Sequence, residues 1–314
     1  MTTTLAVLGA GGHSTRNHGP ALARCRRELD VGLRAVCDLD AERAAAYADE
    51  FGFETTYTDY GAMLDAEPLD GIVAVTPVER TREIAGDLLA SGVPVVVEKP
   101  PGETPRETRE LLDVAVEHGT DHQVSFNRRF NPALRRAREW LDDRRPPRHA
   151  HARLVRSRRF EDRFVRGTGV HAVDTVLSVM GTPRSCRSRR WCSRSEGGES
   201  AAARLAFEAA AADVHLLPDG GTGTETYAFV GPDYSVRIDA GETALRIHEG
   251  GEEVVSWQPG PDVPAYERNG TLAEMRSFLR AIRDETPFGP TLRDGLVTME
   301  TVAAVADGGT TAFE

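Results

Sequence analysis

The chain has 314 residues, 40% hydrophobic and 28% charged, with a formal net charge of −11. That length suits one large or two medium domains with buried cores, and so acidic a balance argues against a general nucleic-acid binder. No apolar run approaches the roughly 18 residues of a membrane span and no basic leader opens the chain, so a cytoplasmic protein is expected.

Leu5-Ala6-Val7-Leu8 is a short, continuously apolar run of the kind that forms a central parallel strand buried on both faces. It ends in Gly9-Ala10-Gly11-Gly12-His13-Ser14, and a helical segment follows with Ala21, Leu22 and Cys25 on one side. Strand, glycine turn and helix are the setting a G-x-G-x-x-G match requires. The glycines let the backbone approach a pyrophosphate, and the helix start turns amides and positive dipole toward it. Ser14 takes the third glycine position, so the fingerprint is imperfect. A second strand from Val31 to Cys37 ends in Asp38, about 20 residues or so downstream, where a carboxylate grips the adenosine ribose hydroxyls and repels a 2′-phosphate. No arginine intervenes before Arg43, so the spacing points to NAD in preference to NADP. Asp40 is the better placed residue for capping the next helix.

The alternation continues with a helix from Ala44 to Phe51 closed by Gly52, and a strand from Gly71 to Val75 running into Thr76-Pro77. A helix from Glu79 to Ala90 turns Ile84, Leu88 and Leu89 inward, and the strand Val93 to Glu98 leads to Lys99. Lys99 is the sole lysine; the other 37 of the 38 basic residues are arginine. Guanidinium keeps its charge at any working pH, so arginine cannot stand in where an ammonium must give up a proton. The lysine follows an apolar strand and precedes Pro100-Pro101, at the strand ends where parallel sheets present their ligands. Thr104-Pro105-Arg106-Glu107 is a capping box with proline at the first helical position. Residues 1–126 therefore read as a doubly wound parallel sheet of the dinucleotide-binding kind.

Beyond residue 127 the texture changes to α+β. Asn127-Arg128-Arg129-Phe130-Asn131-Pro132 opens a helix through Trp140, broken by Arg144-Arg145-Pro146-Pro147. Tyr227–Val230, Tyr234–Asp239, Thr243–His248 and Val254–Trp257, joined by tight glycine turns, read as an antiparallel meander. A helix begins near Gly169-Val170-His171-Ala172-Val173-Asp174 and sets His171 and Asp174 three apart on one face. A histidine there, in the domain expected to cover the lysine, is a candidate acid or base. Thr271-Leu272-Ala273-Glu274 is a second capping box, with Leu272, Met275, Leu279 and Ile282 as a buried stripe, and a helix from Leu292 to Val305 follows. Residues 128–166 hold 14 arginines against 5 acids, and residues 184–194 hold 5 arginines and no acid. A solvated face or subunit contact is the plain explanation; forked guanidiniums gripping an anionic substrate are the functional one. The four cysteines, Cys25, Cys37, Cys186 and Cys192, form no CxxC pair and no zinc spacing, so reduced packing thiols and no metal are expected.

The Gly9-Ala10-Gly11-Gly12 turn, Asp38, Thr76-Pro77, Glu98-Lys99-Pro100, Asn127-Arg128-Arg129-Phe130 and Gly169-Val170-His171-Ala172-Val173-Asp174 occur in an order that resembles the glucose–fructose oxidoreductase/inositol dehydrogenase (Gfo/Idh/MocA) family. The resemblance spans nearly the whole chain. It implies a Rossmann domain at 1–126 and, at 127–314, an open, mostly antiparallel sheet domain that binds substrate and joins subunits into homodimers or homotetramers. It also implies NAD(P)-dependent oxidation of a secondary alcohol of a sugar, cyclitol or related polyol, with no nucleic-acid or membrane partner. Lys99 would hydrogen-bond the reacting hydroxyl, and His171 would orient the substrate and act as acid or base. Asp174 and Arg129 would bind substrate, and Gly9, Gly11, Gly12, His13, Asp38, Thr76, Pro77 and Glu98 would hold the cofactor. Two positions depart from the family pattern: Gly167 where many members have aspartate, and Thr81 where many have histidine. Two alternatives remain: a redox-neutral, NAD-dependent glycoside-cleaving enzyme, as the resemblance implies for some relatives, and a non-catalytic NAD-sensing regulator, which the missing aspartate makes plausible. Retention of the only lysine argues against the regulator.

Overall fold

The computed structural model describes residues 2–159, 163–192 and 198–313. The chain divides into two compact units, Met1–Asn127 with Pro264–Leu296, and Arg128–Val263 with Val297–Glu314. The first break falls beside the expected one. The single C-terminal domain expected over 127–314 is corrected, because the segment Pro264–Leu296 returns to the N-terminal unit.

The first unit is built on β1 (Thr3–Leu8), β2 (Val31–Cys37), β3 (Thr55–Tyr57), β4 (Gly71–Ala74), β5 (Val95–Glu98) and β6 (His122–Ser125), in the spatial order β3-β2-β1-β4-β5-β6. Every pairing is parallel. Leu5, Ala6, Val7, Ile72, Val73, Val95, Val96 and Val97 are all buried, as continuous apolar strands covered on both faces must be. Two expected caps form as read. Asp40 accepts from the backbone N–H of Glu42 and Arg43, and Thr104 from that of Glu107 ahead of Pro105. The third does not. The helix Thr271–Ile282 is entered from Gly270 without a side-chain cap from Thr271, because Asn269 Oδ1 accepts from both Thr271 N–H and its hydroxyl. Glu274 is instead buried and accepts from the Ser125 hydroxyl.

The reason for the returning segment is apolar. Leu272, Met275, Phe278 and Leu279 join one buried cluster with Leu5, Val7, Leu33 and Phe51, while Ile282 packs at its edge. At about 25 cal/mol per Å2 of apolar surface, a fully buried leucine or phenylalanine contributes roughly 1.5–3 kcal/mol. Four such side chains outweigh the chain-closure cost of a long excursion, which grows only logarithmically with length.

The second unit holds β7 (His149–Val155), β8 (Ser185–Cys192), β9 (Glu199–Ala206), β10 (Ala211–Leu217), β11 (Thr224–Gly231), β12 (Tyr234–Asp239), β13 (Ala244–Glu249), β14 (Glu252–Trp257) and β15 (Gly309–Ala312). They form one open sheet, β14-β13-β12-β11-β7-β10-β9-β8-β15, antiparallel throughout except for the β7–β10 pair. Ala212, Val214 and Leu216 of β10 point inward, in alternation with Asp213 and His215. The helix Val170–Met180 packs against β7 and β10.

Much of the arginine excess is spent inside this unit. Arg128 and Arg156 both grip the buried Glu225, at 2.8 and 2.5 Å, and Tyr227 donates to the same carboxylate at 2.9 Å. Arg144 pairs with Glu249 and lies 3.4 Å over the Trp140 ring; Arg136 lies 4.4 Å over Trp257. Guanidinium suits both jobs, since it stacks and forks at once. Residues 160–162, 193 and 194 of the two arginine-rich stretches lie outside the described residues.

Burial pushes the Glu225 carboxyl upward, but Arg128 and Arg156 outweigh it and hold it at about 2. A folded-state value below the ordinary 4.5 means that its stabilisation is complete above that pH and drains away as pH falls toward the lower value. Glu225→Gln should therefore destabilise the protein at pH 7 by roughly 3 kcal/mol or more, as when one partner of a buried pair is removed. Urea unfolding at pH 7 and pH 3 checks it: the variant's deficit against the parent should shrink at the lower pH, and an equal gap at both would contradict the ion-pair account.

Candidate functional site

The turn after β1 is set by a contact that admits no side chain. Gly9 has φ +100°, and a Cβ there would stand 2.2 Å from the Val75 carbonyl oxygen. Gly11 differs: a Cβ would meet nothing within 4 Å, so its backbone faces open space. Ser14, at the imperfect third position, is buried with its hydroxyl 2.9 Å from that of Tyr47, so a small polar side chain does the packing.

This turn borders a cavity of about 690 Å3 in the first unit, which brings together Gly9, Gly11, Gly12, His13, Asp38, Thr76, Pro77, Glu98 and Lys99. These are all eight residues expected at the cofactor, with the lysine. Asp38 directly follows β2, with its side chain 10% exposed. One carboxylate oxygen accepts from Ala10 N–H at 2.8 Å and the other from Asp40 N–H at 3.0 Å. Arg43 Nη1 lies 3.5 Å from Asp38 and borders the same cavity, as do Arg80 and Tyr60. None of those three was singled out as a pocket residue from sequence. Arg43 sits only five positions past Asp38, and that proximity was the available signal.

Glu98 closes β5 and is buried, with Oε1 3.9 Å from Lys99 Nζ. Lys99 is 19% exposed, enough to present its amine to the cavity. Behind them stands His18, fully buried, which sequence reading passed over. Burial pushes its imidazole down to about 4 against the opposing pull of Glu98, so the ring is neutral near pH 7. Thr81, in the place where family members carry histidine, is buried and donates to the Pro77 carbonyl at 3.2 Å, with its hydroxyl also 3.2 Å from that of Thr76.

The remaining expected site residues lie in the second unit. His171 is in the first turn of the helix Val170–Met180 and 8% exposed. Asp174, one turn on, is completely buried. Its carboxylate takes three contacts from Arg129, at 2.7 to 3.2 Å, and one from the Thr298 hydroxyl at 3.1 Å. Arg129 and Asp174, expected as substrate ligands, are thus directed at each other, and their pair braces the helix that carries His171. A Cβ at Gly167 would meet nothing within 4 Å, and the structure offers no explanation for the glycine at this position.

Residues 3–126 match the model of the oxidoreductase family with an NAD-binding Rossmann fold. These residues thus carry the NAD-binding domain of the Gfo/Idh/MocA oxidoreductases. The chain as a whole is similar, 28% identical over 301 residues, to the rhizopine catabolism protein MocA of Rhizobium meliloti, covering 88% of this chain and 90% of that one. It is 33% identical over 135 residues to the D-glucoside 3-dehydrogenase of Escherichia coli, a match covering 43% of this chain and 38% of the relative. A levoglucosan dehydrogenase solved with NADH has the same fold, with a TM-score of 0.88 over the whole of both chains at 16% identity. Among the described residues, no helix is long and apolar enough to cross a membrane.

The two glycines of the turn should separate packing from ligand contact. Gly9→Ala should destabilise the fold by about 1–3 kcal/mol, because it combines positive φ with a backbone clash. Gly11→Ala should unfold in urea like the parent yet bind NAD at least about tenfold more weakly, since its new methyl occupies space the dinucleotide backbone needs. Fluorescence titration with NADH reads the second effect, and undiminished affinity would show that the dinucleotide does not pass over Gly11.

Proposed function

We propose that this oxidoreductase transfers a hydride between nicotinamide and a secondary alcohol of a sugar, cyclitol or related polyol, using NAD in preference to NADP. The observation that carries the reading is Lys99: the only lysine of the chain, at the end of a parallel strand, bordering the same cavity as the glycine turn and Asp38. The names of the relatives support the substrate class, since they include dehydrogenases of glucosides and inositol.

The cavity's residues suit the dinucleotide. Gly11 leaves room for a pyrophosphate, and Asp38 offers a carboxylate to ribose hydroxyls while repelling a 2′-phosphate. Bound NAD supplies the hydride acceptor. Lys99 hydrogen-bonds the carbinol oxygen and takes its proton as the carbon gives up hydride. Glu98, buried beside it, holds the amine in place electrostatically. His171 is assigned the second acid–base role, with Arg129 and Asp174 fixing the helix that bears it.

Lys99→Arg should keep NADH affinity within about twofold while turnover falls by roughly 100-fold or more, the usual weight of a positioned acid–base group. The assay is NADH absorbance together with product analysis over polyols, sugar acids and sugar phosphates; wild-type turnover in the variant would remove the lysine from the chemistry. Asp38→Ala should weaken NAD by about tenfold while NADP is unaffected or improved, because the variant loses a ribose acceptor and a repulsive charge together. Equal losses for both dinucleotides would contradict the ribose assignment.

A further inference from the structure

Three side chains beside the cavity turn donor atoms toward one another across a gap. His18 is 1% exposed, and neither of its ring nitrogens has a hydrogen-bond partner. Glu98 Oε2 is likewise buried without one. It stands 3.9 Å from His18 Nε2 and 3.8 Å from His13 Nε2, too far for direct hydrogen bonds. Ligating atoms of the three residues all fall within 4.8 Å of one another. Buried polar atoms are almost always satisfied, and a buried carboxylate needs its charge offset. A partner in the gap would satisfy these atoms, and a dication would engage the lone pairs of all three side chains at once.

We propose that His13, His18 and Glu98 form a binding site for a divalent transition-metal ion of the zinc type. Two imidazoles and one carboxylate are a known zinc donor set, and three protein ligands leave one coordination position for water. Bonds of about 2.0–2.2 Å place tetrahedral ligand atoms about 3.3–3.5 Å apart, so the pairs to Glu98 must close by roughly half an ångström. His13 supplies the movement. Its side chain is 51% exposed, and its contact to Asn17 Nδ2 is a long 3.3 Å that rotation can give up. His18 and Glu98 are the fixed part of the site, held on a helix and a strand end. The site stands independently of the hydride-transfer reading, because its test measures metal rather than turnover.

The full chain, stripped with EDTA and dialysed, is titrated with zinc chloride by calorimetry and with cobalt chloride by visible absorption. One equivalent of zinc should bind, and cobalt should give the strong visible bands of a four-coordinate ion. His13→Ala, at a half-exposed position that keeps the fold, should weaken zinc binding by about tenfold or more. His18→Asn should do the same, with thermal melting reporting that the variant is folded. His151→Ala disturbs a separate histidine pair on the second unit's sheet, where His151 Nε2 is 3.2 Å from His215 Nδ1; it should leave the affinity unchanged. Binding of less than about a fifth of an equivalent, as a bridging water alone in the gap would give, overturns the proposal. Zinc affinity indifferent to His13→Ala and lost in His151→Ala overturns it as well.

Discussion

The pocket depends on one close approach of backbone to backbone. At Gly9 the chain leaves β1 so near to β4 that only hydrogen fits opposite the Val75 carbonyl. Around that point Gly9 N–H donates to the Cys37 carbonyl at 2.8 Å and Val75 N–H to the Leu8 carbonyl at 2.7 Å. Three strand ends are thereby laced at a single turn. The lacing aims Ala10 N–H at Asp38, and it places Thr76 and Pro77 on the rim of the same cavity. A floor so tightly bonded is pre-organised, so a ligand entering the cavity would not have to assemble it.

Charge is handled differently in the two units. In the second, buried carboxylates are matched by arginines: Glu225 by two, Asp174 by one in a forked grip. In the first, Glu98 sits among two imidazoles and one amine, none closer than 3.8 Å. The first pattern is closed and structural. The second leaves lone pairs facing a cavity, which is the condition for chemistry or for a ligand.

The parallel sheet was legible because buried strands read as unbroken apolar runs, and two of the side-chain caps on its helices, Asp40 and Thr104, were visible at fixed spacing. Legibility failed where a feature depended on a distant part of the chain. The stripe Leu272, Met275 and Leu279 was recognisable as buried, but nothing local says that it is covered by Leu5 and Leu33. The Thr271 cap was misread because Asn269, two residues earlier, takes the Thr271 N–H and hydroxyl, while Glu274 N–H goes to the Gly270 carbonyl. Strand β8 escaped notice because Arg187 and Arg189 alternate with Cys186 and Ser188, and so much charge hides a two-residue period. His18 was hidden by geometry: the helical path breaks at Asn17, so its spacing from His13 has no fixed angular meaning. The arginine excess was visible as composition, but its use in buried pairs was not.

The replacement of lysine by arginine everywhere but one position has a practical side. Guanidinium is inert to the acylating and reductive-alkylating reagents that modify primary amines, whereas an ε-amine that sheds its proton reacts. Lys99 is the only side-chain amine in the protein, and it opens onto the cavity. The molecule therefore carries a single addressable side-chain amine, and a reporter group attached there would sense the cavity without background from other side chains.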